Sequence, residues 1–395
     1  MTPAARVQAA IDLLDAVIAA ARGQGASADR IAAEWFRARR YVGSKDRRAI
    51  RELVWSAIRA CGPVPVSGRA AMLRLAADDP AMRALFDGST YGPAPIVADE
   101  AVAEGGIAPQ WLVERLSASG LDADDQASLL DRAPLDIRAN TLKISREELR
   151  VRLPVEAEPV MGPHALRLPS GTAAEAWPEF AEGLFEVQDA GSQMACMALH
   201  VQPGEAVVDL CAGAGGKTLV LGAAMANRGT LLACDIDRAR LSRLPERAAR
   251  AGVLVETRLL NPGQELAMLD DWQGRADAVM IDAPCSGTGT WRRNPEARWR
   301  IDAKAIDRYC AMQANVLTIG AALVRPGGRL TYVVCSLLDA EGADRIAAFL
   351  AANPDWEPVL PPLPAGRPHR QGWRLVPFRD RTDGFFFATL VRRVN

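Results

Sequence analysis

Histidine, lysine and paired cysteines are scarce in this sequence, and their scarcity excludes several classes of protein. The 395 residues include three histidines, four lysines and seven scattered cysteines, none in a C-x-x-C pair. Zinc sites and disulfide frameworks need clustered Cys and His, so we expect no metal site and free thiols that are mostly buried. No run of 18 apolar residues occurs, so no membrane span is predicted.

The amino-terminal segment lacks the features of an export signal. Asp12 and Asp15 interrupt its apolar residues, and Ile11, Leu14 and Ile18 recur at the spacing of an amphipathic helix. We therefore expect a cytoplasmic protein, and we expect it to be monomeric.

Charge is nearly balanced over the whole chain but not along it. The formal net charge is −1, whereas residues 1–60 carry 11 Lys and Arg against 6 Asp and Glu. A solvated surface explains that first cluster. A second basic stretch, WRRNPEARWR at 291–300, interleaves arginines with Trp291 and Trp299. Arginine on phosphates with tryptophan stacked on bases is typical of binding to single-stranded nucleic acid, which we predict for this stretch.

The order of the apolar patterns predicts three parts. Residues 1–108 show helical patterns followed by a linker, and residues 109–200 a small α/β subdomain. From 201 to 395, short apolar runs alternate with helical patterns, which predicts a doubly wound α/β sheet. Ligands of such sheets bind at the carboxyl ends of the strands, so the residues directly after each strand are candidates for a site.

A Gly-rich loop, DLCAGAGGKT at 209–218, follows the first strand of that sheet. Its GGKT end resembles a phosphate-binding P-loop, but the first glycine of that motif is expected at position 211, which is Cys211. The other interpretation is a nucleoside cofactor whose ribose hydroxyls bind an acid after the second strand. Asp235 follows Gly216 by 19 residues, near the usual offset of about 20. This arrangement favours S-adenosylmethionine.

Two cysteines follow two other strands, Cys285 in DAPCSGTG (282–289) and Cys335 in VVCS (333–336). If these strands are parallel neighbours, about 4.8 Å apart, both thiols face the cofactor crevice. A thiolate that adds to carbon 6 of a pyrimidine makes carbon 5 nucleophilic enough to take a methyl group. Asp282 is placed to hydrogen-bond the cytosine edge, and a second thiol to assist release of the product.

The chain resembles the RsmB/Sun-type RNA cytosine-5 methyltransferases over roughly residues 109–395. The matching segments are RANT (138–141), VQDAGSQ (187–193), DLCAGAGGKT, ACDID (233–237), DAPCSGTGTWRRNP (282–295), YVVCS (332–336) and TDGFFFATL (382–390). The segment 33–59 is similar to the NusB-like helical RNA-binding domain that some bacterial members carry in front. The resemblance implies a Rossmann-like class I methyltransferase fold and ribosomal RNA as the partner.

The same resemblance implies a role for each matched position. Cys335 would be the nucleophile and Cys285 the release cysteine, with Asp282 and Lys217 beside them. The implied contacts with the methyl donor are Cys211, Ala212, Gly213, Ala214, Gly215, Gly216, Lys217, Asp235, Asn261 and Asp282. The implied RNA contacts are Arg138, Arg292 and Arg293. Asn261 stands where the family has an acid, and Val333-Val334 replaces the usual Ser/Thr-rich lead-in.

Two functions from other classes stay open on the sequence alone. A P-loop-like NTPase would bind ATP or GTP with Mg²⁺, and Cys211 in place of the first glycine argues against it. A non-catalytic RNA-binding scaffold would have no need of Asp282, Cys285 and Cys335 together.

Overall fold

A computed structural model describes residues 1–23 and 25–394, and these residues form two compact units. The helical unit comprises residues 1–132 and 290–302, and the sheet unit comprises 133–289 and 303–394. The compact units divide at 132/133, whereas the domain boundary at 108/109 stays a prediction from the sequence. The predicted boundary at 200/201 falls inside the sheet unit.

The helical unit is built on α1, an amphipathic helix as predicted. Thr2 caps its amino terminus with a side chain that accepts the N–H of Ala5, and Pro3 starts the helix without needing a donor. Val7, Leu14 and Ile18 are among its buried residues and join the core of this unit. The helices are α1 (Pro3–Arg22), α2 (Ala28–Ala38), α3 (Ser44–Ala60), α4 (Gly68–Leu75), α5 (Pro80–Arg83), α6 (Gln110–Ala118) and α7 (Ala123–Ala127).

Residues 290–302, which follow the DAPCSGTG loop, pack into the core of the helical unit. Trp299 is buried in that core and donates its Nε1–H to the carbonyl of Gly62 at 3.2 Å. Arg298 is fully buried, and its Nη2 donates to the carbonyls of Ile58 and Cys61, each at 2.6 Å. Burial lowers the pKa of Arg298 to about 10. Both tryptophans of this basic segment, together with Arg292 and Arg298, are therefore buried in the unit.

Replacement of Arg298 by alanine is expected to destabilise the protein by about 3 kcal/mol, because buried carbonyls lose their donor and a cavity remains. Urea-induced unfolding followed by tryptophan fluorescence measures this change. Arg30→Ala is the matched control, since its side chain is 73% exposed and pairs with Glu34 at the surface. An equal loss in both variants would contradict the structural role of Arg298.

The sheet unit alternates strands and helices along its length, as the apolar patterns predict. Its elements are β1 (Leu135–Ala139), α8 (Arg146–Arg152), β2 (Glu158–Pro159), β3 (Ala165–Leu168), α9 (Pro178–Ala181), β4 (Phe185–Val187), α10 (Ala190–Leu199), β5 (Ala206–Asp209), α11 (Gly216–Ala224), β6 (Thr230–Asp235), α12 (Arg238–Leu241), α13 (Leu244–Ala251), β7 (Glu256–Leu259), α14 (Glu265–Met268), β8 (Ala276–Asp282), α15 (Ala303–Leu323), β9 (Val324–Val334), α16 (Ala343–Ala352), β10 (Trp356–Val359), β11 (Arg367–His369), β12 (Gly372–Leu375), α17 (Pro377–Asp380) and β13 (Phe385–Arg392).

The main sheet has the order β11-β12-β13-β9-β8-β5-β6-β7, with β10 paired to β13. Strands β9, β8, β5, β6 and β7 pair in parallel, and β13 is antiparallel to β9. A smaller antiparallel sheet, in the order β2-β3-β1-β4, forms the α/β subdomain. The chain leaves β5 for β6 on one side and reaches β8 on the other, so a switch point lies beside β5.

Alternate residues of the central strands pack on opposite faces of the sheet. Val208 and Val279 join a core that includes Leu317 of α15 and Ile346 of α16. Val207 and Ala278 join a second core on the other face, with residues of α10, α11 and α13. The predicted doubly wound α/β fold is confirmed. Among the residues described, no helix is long and apolar enough to cross a membrane.

Candidate active site

The candidate active site is a cavity of about 650 Å³ at the carboxyl ends of the parallel strands, a volume typical of small-ligand sites. Residues after β5, β6, β7, β8 and β9 and one face of α15 form its wall. The lining residues are Leu210, Cys211, Asp235, Ile236, Asp237, Arg240, Leu260, Pro262, Glu265, Asp282, Ala283, Pro284, Cys285, Tyr309, Met312, Asn315, Val316, Ile319 and Cys335.

The Gly-rich loop and Asp235 form one wall of this cavity. Gly213 has a φ of +55°, and its N–H donates to Oδ2 of Asp235 at 2.7 Å. Oδ1 of the same carboxylate accepts the N–H of Asp237, also at 2.7 Å. The positive φ favours glycine, and a Cβ at position 213 would lie 2.5 Å from Nη2 of Arg240, which would have to move. The loop thereby fixes the carboxylate of Asp235 at the cavity wall. There it can accept hydrogen bonds from the hydroxyl groups of a ligand.

The two predicted cysteines lie side by side among the residues that line the cavity. Strands β8 and β9 are parallel neighbours, as expected, and the Sγ atoms of Cys285 and Cys335 lie 3.4 Å apart. The hydrogen bond to Cys335, together with burial, raises the pKa of Cys285 well above that of a free thiol. Cys285 is therefore held as a protonated thiol beside the sulfur of Cys335.

An ion pair stands beside the thiols. Nζ of Lys217 lies 2.7 Å from Oδ2 of Asp282, and both side chains are partly or largely buried. Burial alone would lower the pKa of Lys217, but the charge of Asp282 raises it overall. Because the ammonium group of Lys217 pairs with Asp282, it is not available to bind a phosphate group as the lysine of a P-loop does. The pair instead orients the carboxylate at the cavity wall.

The sequence is similar to proteins of one methyltransferase family. Residues 196–391 match the family described as 16S rRNA methyltransferase RsmB/F. The ribosomal RNA small subunit methyltransferase B of Klebsiella pneumoniae subsp. pneumoniae is 35% identical over 302 residues, covering 73% of this chain and 66% of that protein. The chain belongs to the RsmB/F methyltransferase family. It spans just under two thirds of the length of that relative.

Solved structures resemble this RsmB/F family member over different lengths. The crystal structure of PH0851 is 25% identical, with a TM-score of 0.75, and the similarity covers 99% of each chain. A methyltransferase homologue from Pyrococcus horikoshii is 27% identical, with a TM-score of 0.60, covering 72% of this chain and 99% of the other. The fold of the sheet unit is thus the Rossmann-like fold of methyltransferases.

Only some of the residues predicted to contact the cofactor line the cavity. Cys211, Asp235 and Asp282 line the cavity, whereas Ala212, Gly213, Ala214, Gly215, Gly216 and Lys217 are not among its lining residues. Asn261 is exposed and its N–H contacts Sδ of Met268, while its neighbours Leu260 and Pro262 line the cavity. The contact of Asn261 with the methyl donor stays a prediction.

The predicted RNA contacts need correction. Arg138 is 3% exposed, and its Nε donates to Oε1 of Gln188 at 2.8 Å. Arg292 is also buried, and Trp291 and Trp299 have no exposed face on which a base can stack. Guanidinium groups in such positions lack the surface that phosphate contacts require. Arg293 alone of the three predicted arginines is partly exposed.

Sequence reasoning missed the contribution of α15 to the cavity. Tyr309, Met312, Val316 and Ile319 line it and recur at helical spacing, so they lie on one face of the helix. That spacing is visible in the sequence, but it is equally typical of a face that packs on a core.

Within the described residues, no group of three or more His, Cys, Asp or Glu side chains is arranged to hold a metal ion.

Asp209, at the end of β5, is a buried carboxyl group beneath the Gly-rich loop. Its Oδ2 accepts the hydroxyl of Thr218 at 2.6 Å, and its Oδ1 has no hydrogen-bond partner within the described residues. Burial raises the pKa of Asp209 to about 7. Since the folded protein then binds this proton more tightly than the unfolded chain, the free energy of unfolding falls as pH rises from about 4 to about 7.

Replacement of Asp209 by asparagine is expected to remove that dependence on pH. The wild-type free energy of unfolding should fall by roughly 2 to 4 kcal/mol more than that of Asp209→Asn over this interval. Urea unfolding at a series of pH values measures both slopes. Asp344→Asn is the control, because Asp344 pairs with Arg370 at the surface. Parallel curves for the wild type and Asp209→Asn would refute the assignment.

Proposed function

We propose that this chain transfers a methyl group from S-adenosylmethionine to carbon 5 of a cytidine in ribosomal RNA, through a covalent bond between Cys335 and the base. The observation that carries this proposal is the pair of thiols 3.4 Å apart at the wall of a ligand-sized cavity. The names of the family and of its relatives, which specify 16S and small-subunit ribosomal RNA, support the substrate class.

The cavity suits the methyl donor in its chemistry as well as in its volume. Asp235 presents a carboxylate for ribose hydroxyls. Leu260, Val316 and Ile319 supply apolar surface on which an adenine can pack. When bound, S-adenosylmethionine supplies an electrophilic methyl group. The donor and the thiols share one cavity, so the base and the methyl group meet within it.

Cys335 acts as the nucleophile in this proposal. Its thiolate bonds to carbon 6 of cytosine, and the electrons of the ring double bond shift so that carbon 5 can form a new bond to the methyl group. Carbon 5 then loses its proton to water, the double bond returns, and the bond between carbon 6 and sulfur breaks. Cys335 therefore enters and leaves the cycle as a thiolate. The target base must leave its stack to expose carbon 6.

The neighbouring groups support two stages of this cycle. Asp282 accepts a hydrogen bond from the amino edge of cytosine, and Lys217 holds its carboxylate in place. Cys285, kept protonated by its raised pKa, donates a hydrogen bond to the sulfur of Cys335 as that sulfur leaves carbon 6. The two cysteines thus have unequal roles, although they lie side by side.

The proposal is tested by incubating the wild-type protein with methyl-labelled S-adenosylmethionine and ribosomal RNA, with transfer RNA as the competing substrate. Digestion to nucleosides and mass spectrometry then identify the labelled product. We expect 5-methylcytidine from the small-subunit ribosomal RNA. Label on another atom of the base would refute the chemistry, and label confined to transfer RNA would refute the proposed substrate class.

A further inference from the structure

Each of the two cysteines is followed by a serine, and both serines bind one buried carboxylate. Glu341 has no exposed surface. Its Oε1 accepts the backbone N–H of Ser286 at 2.8 Å, and its Oε2 accepts the hydroxyls of Ser286 and of Ser336, the latter at 2.6 Å. Nε2 of Gln313 adds a fourth donor, 3.2 Å from Oε1. Glu341 thus joins the residue after Cys285 to the residue after Cys335.

The backbone alone does not hold the intervening loop. The N–H of Ala283 donates to the carbonyl of Val333, and the N–H of Gly289 donates to the carbonyl of Cys335, both at 2.9 Å. Between these two bonds, within the described chain, residues 284–288 make no backbone–backbone hydrogen bond across to β9. Cys285 lies in this interval. Side-chain bonds therefore contribute to its position, among them those of Glu341 and that of Gln313 to the carbonyl of Pro284 at 2.9 Å. Thr288 adds another, since its Oγ1 accepts the N–H of Leu337 at 2.8 Å.

Four hydrogen bonds hold the side chain of Glu341 in place. The backbone N–H of Ser286 and Nε2 of Gln313 donate to Oε1, and the hydroxyls of Ser286 and Ser336 meet Oε2. Because serine hydroxyls accept as well as donate, the NH₂ group of a glutamine could still bond them there. Leucine is of similar size and has no polar atom, so Glu341→Leu removes all four bonds.

We infer that Glu341 is the positioning residue that holds the thiols of Cys285 and Cys335 at reacting distance. This inference rests on the proposed function for its place in catalysis, but the geometry it describes can be measured without any methyl transfer. Glu341 touches neither thiol and acts through Ser286 and Ser336. Its loss lengthens the average separation of the two sulfurs, so every process that needs them together slows.

Oxidation of the two thiols by diamide provides the direct test. Cys285 and Cys335 each lose a hydrogen to the oxidant, which becomes the hydrazine, and a disulfide forms between them. The rate of this step reports how often the two sulfurs are in contact. Peptide mapping by mass spectrometry identifies the linked pair among the seven cysteines. We expect Glu341→Leu to lower the rate at least tenfold.

A matched control separates positioning from general loss of stability. Glu205 pairs with Arg329 through two hydrogen bonds of 2.9 and 2.7 Å at the start of β5, away from the cysteines. Glu205→Leu is expected to oxidise within twofold of the wild-type rate. If Glu341→Leu does not fold, the double variant Ser286→Ala/Ser336→Ala carries the same test, with an expected threefold decrease. A wild-type rate of oxidation in Glu341→Leu, or in the double variant, would overturn the inference.

The methylation assay adds a second readout. A positioning role predicts that Glu341→Leu lowers kcat about 10²-fold while the KM for S-adenosylmethionine stays within twofold. The failures of the two proposals are distinguishable. Slower oxidation in a protein that methylates no RNA would sustain the positioning role and refute the proposed function. If the variant oxidises at the wild-type rate and the wild-type protein methylates RNA, the proposed function stands and the positioning role of Glu341 is refuted.

Discussion

Cys335→Ala is expected to lower the rate of methyl transfer to RNA by at least about 10³-fold, because the variant cannot form the bond to carbon 6 that activates carbon 5. The same variant should form no covalent complex with RNA. Rates are measured with labelled S-adenosylmethionine, and complexes are detected on denaturing gels. Cys310→Ala is the matched control, since Cys310 lies on α15 with its Sγ against the carbonyl of Ala340 and does not line the cavity.

The paired variant Cys285→Ala is expected to behave differently. Without the neighbouring S–H, the sulfur of Cys335 leaves carbon 6 more slowly, so a covalent complex should accumulate while product falls. A complex in Cys285→Ala and none in Cys335→Ala would establish unequal roles for two thiols that lie 3.4 Å apart. A covalent complex in Cys335→Ala and none in Cys285→Ala would make Cys285 the nucleophile and Cys335 the release cysteine.

Lys217→Met is expected to lower kcat about 10²-fold, because it leaves the Asp282 carboxylate without its partner at 2.7 Å. Without the ammonium, the carboxylate is free to turn toward water, and the hydrogen bond to the cytosine edge is lost. Steady-state kinetics with RNA as the varied substrate measure the change. Lys304→Met controls for the substitution itself, because Lys304 is an exposed lysine at the start of α15. Equal kinetics in both variants would contradict the role of the ion pair.

The sequence predicts the sheet and the centre of the site because both depend on local patterns. The apolar runs of β5, β6, β8 and β9 are bounded by turn residues, so the strands and their carboxyl ends are visible in the sequence. The spacing of Asp235 from the Gly-rich loop and the parallel pairing of β8 with β9 then place the acid and the two cysteines around one cavity. Structure and prediction agree on these points.

The prediction of an RNA-binding surface is wrong for Trp299 and Arg298, because amino-acid composition does not show whether a residue is buried in a core. Trp299 and Arg298 have the composition of an RNA-binding surface, yet they are buried in the helical unit, with the guanidinium bonded to backbone carbonyls. An arginine that binds carbonyls and one that binds phosphates look the same in a sequence. Glu341 escaped notice for a related reason, since its partners Ser286 and Ser336 come together only after the strands pair.

The central claim is that the sulfur of Cys335, and not that of Cys285, bonds to the base. The most direct test is to trap the complex of Cys285→Ala with RNA, digest it with nuclease and protease, and map the modified peptide by mass spectrometry. The account predicts a single nucleotide attached to Cys335, with the methyl group at carbon 5. A nucleotide attached at any other residue, or no attachment while 5-methylcytidine still forms, would contradict it.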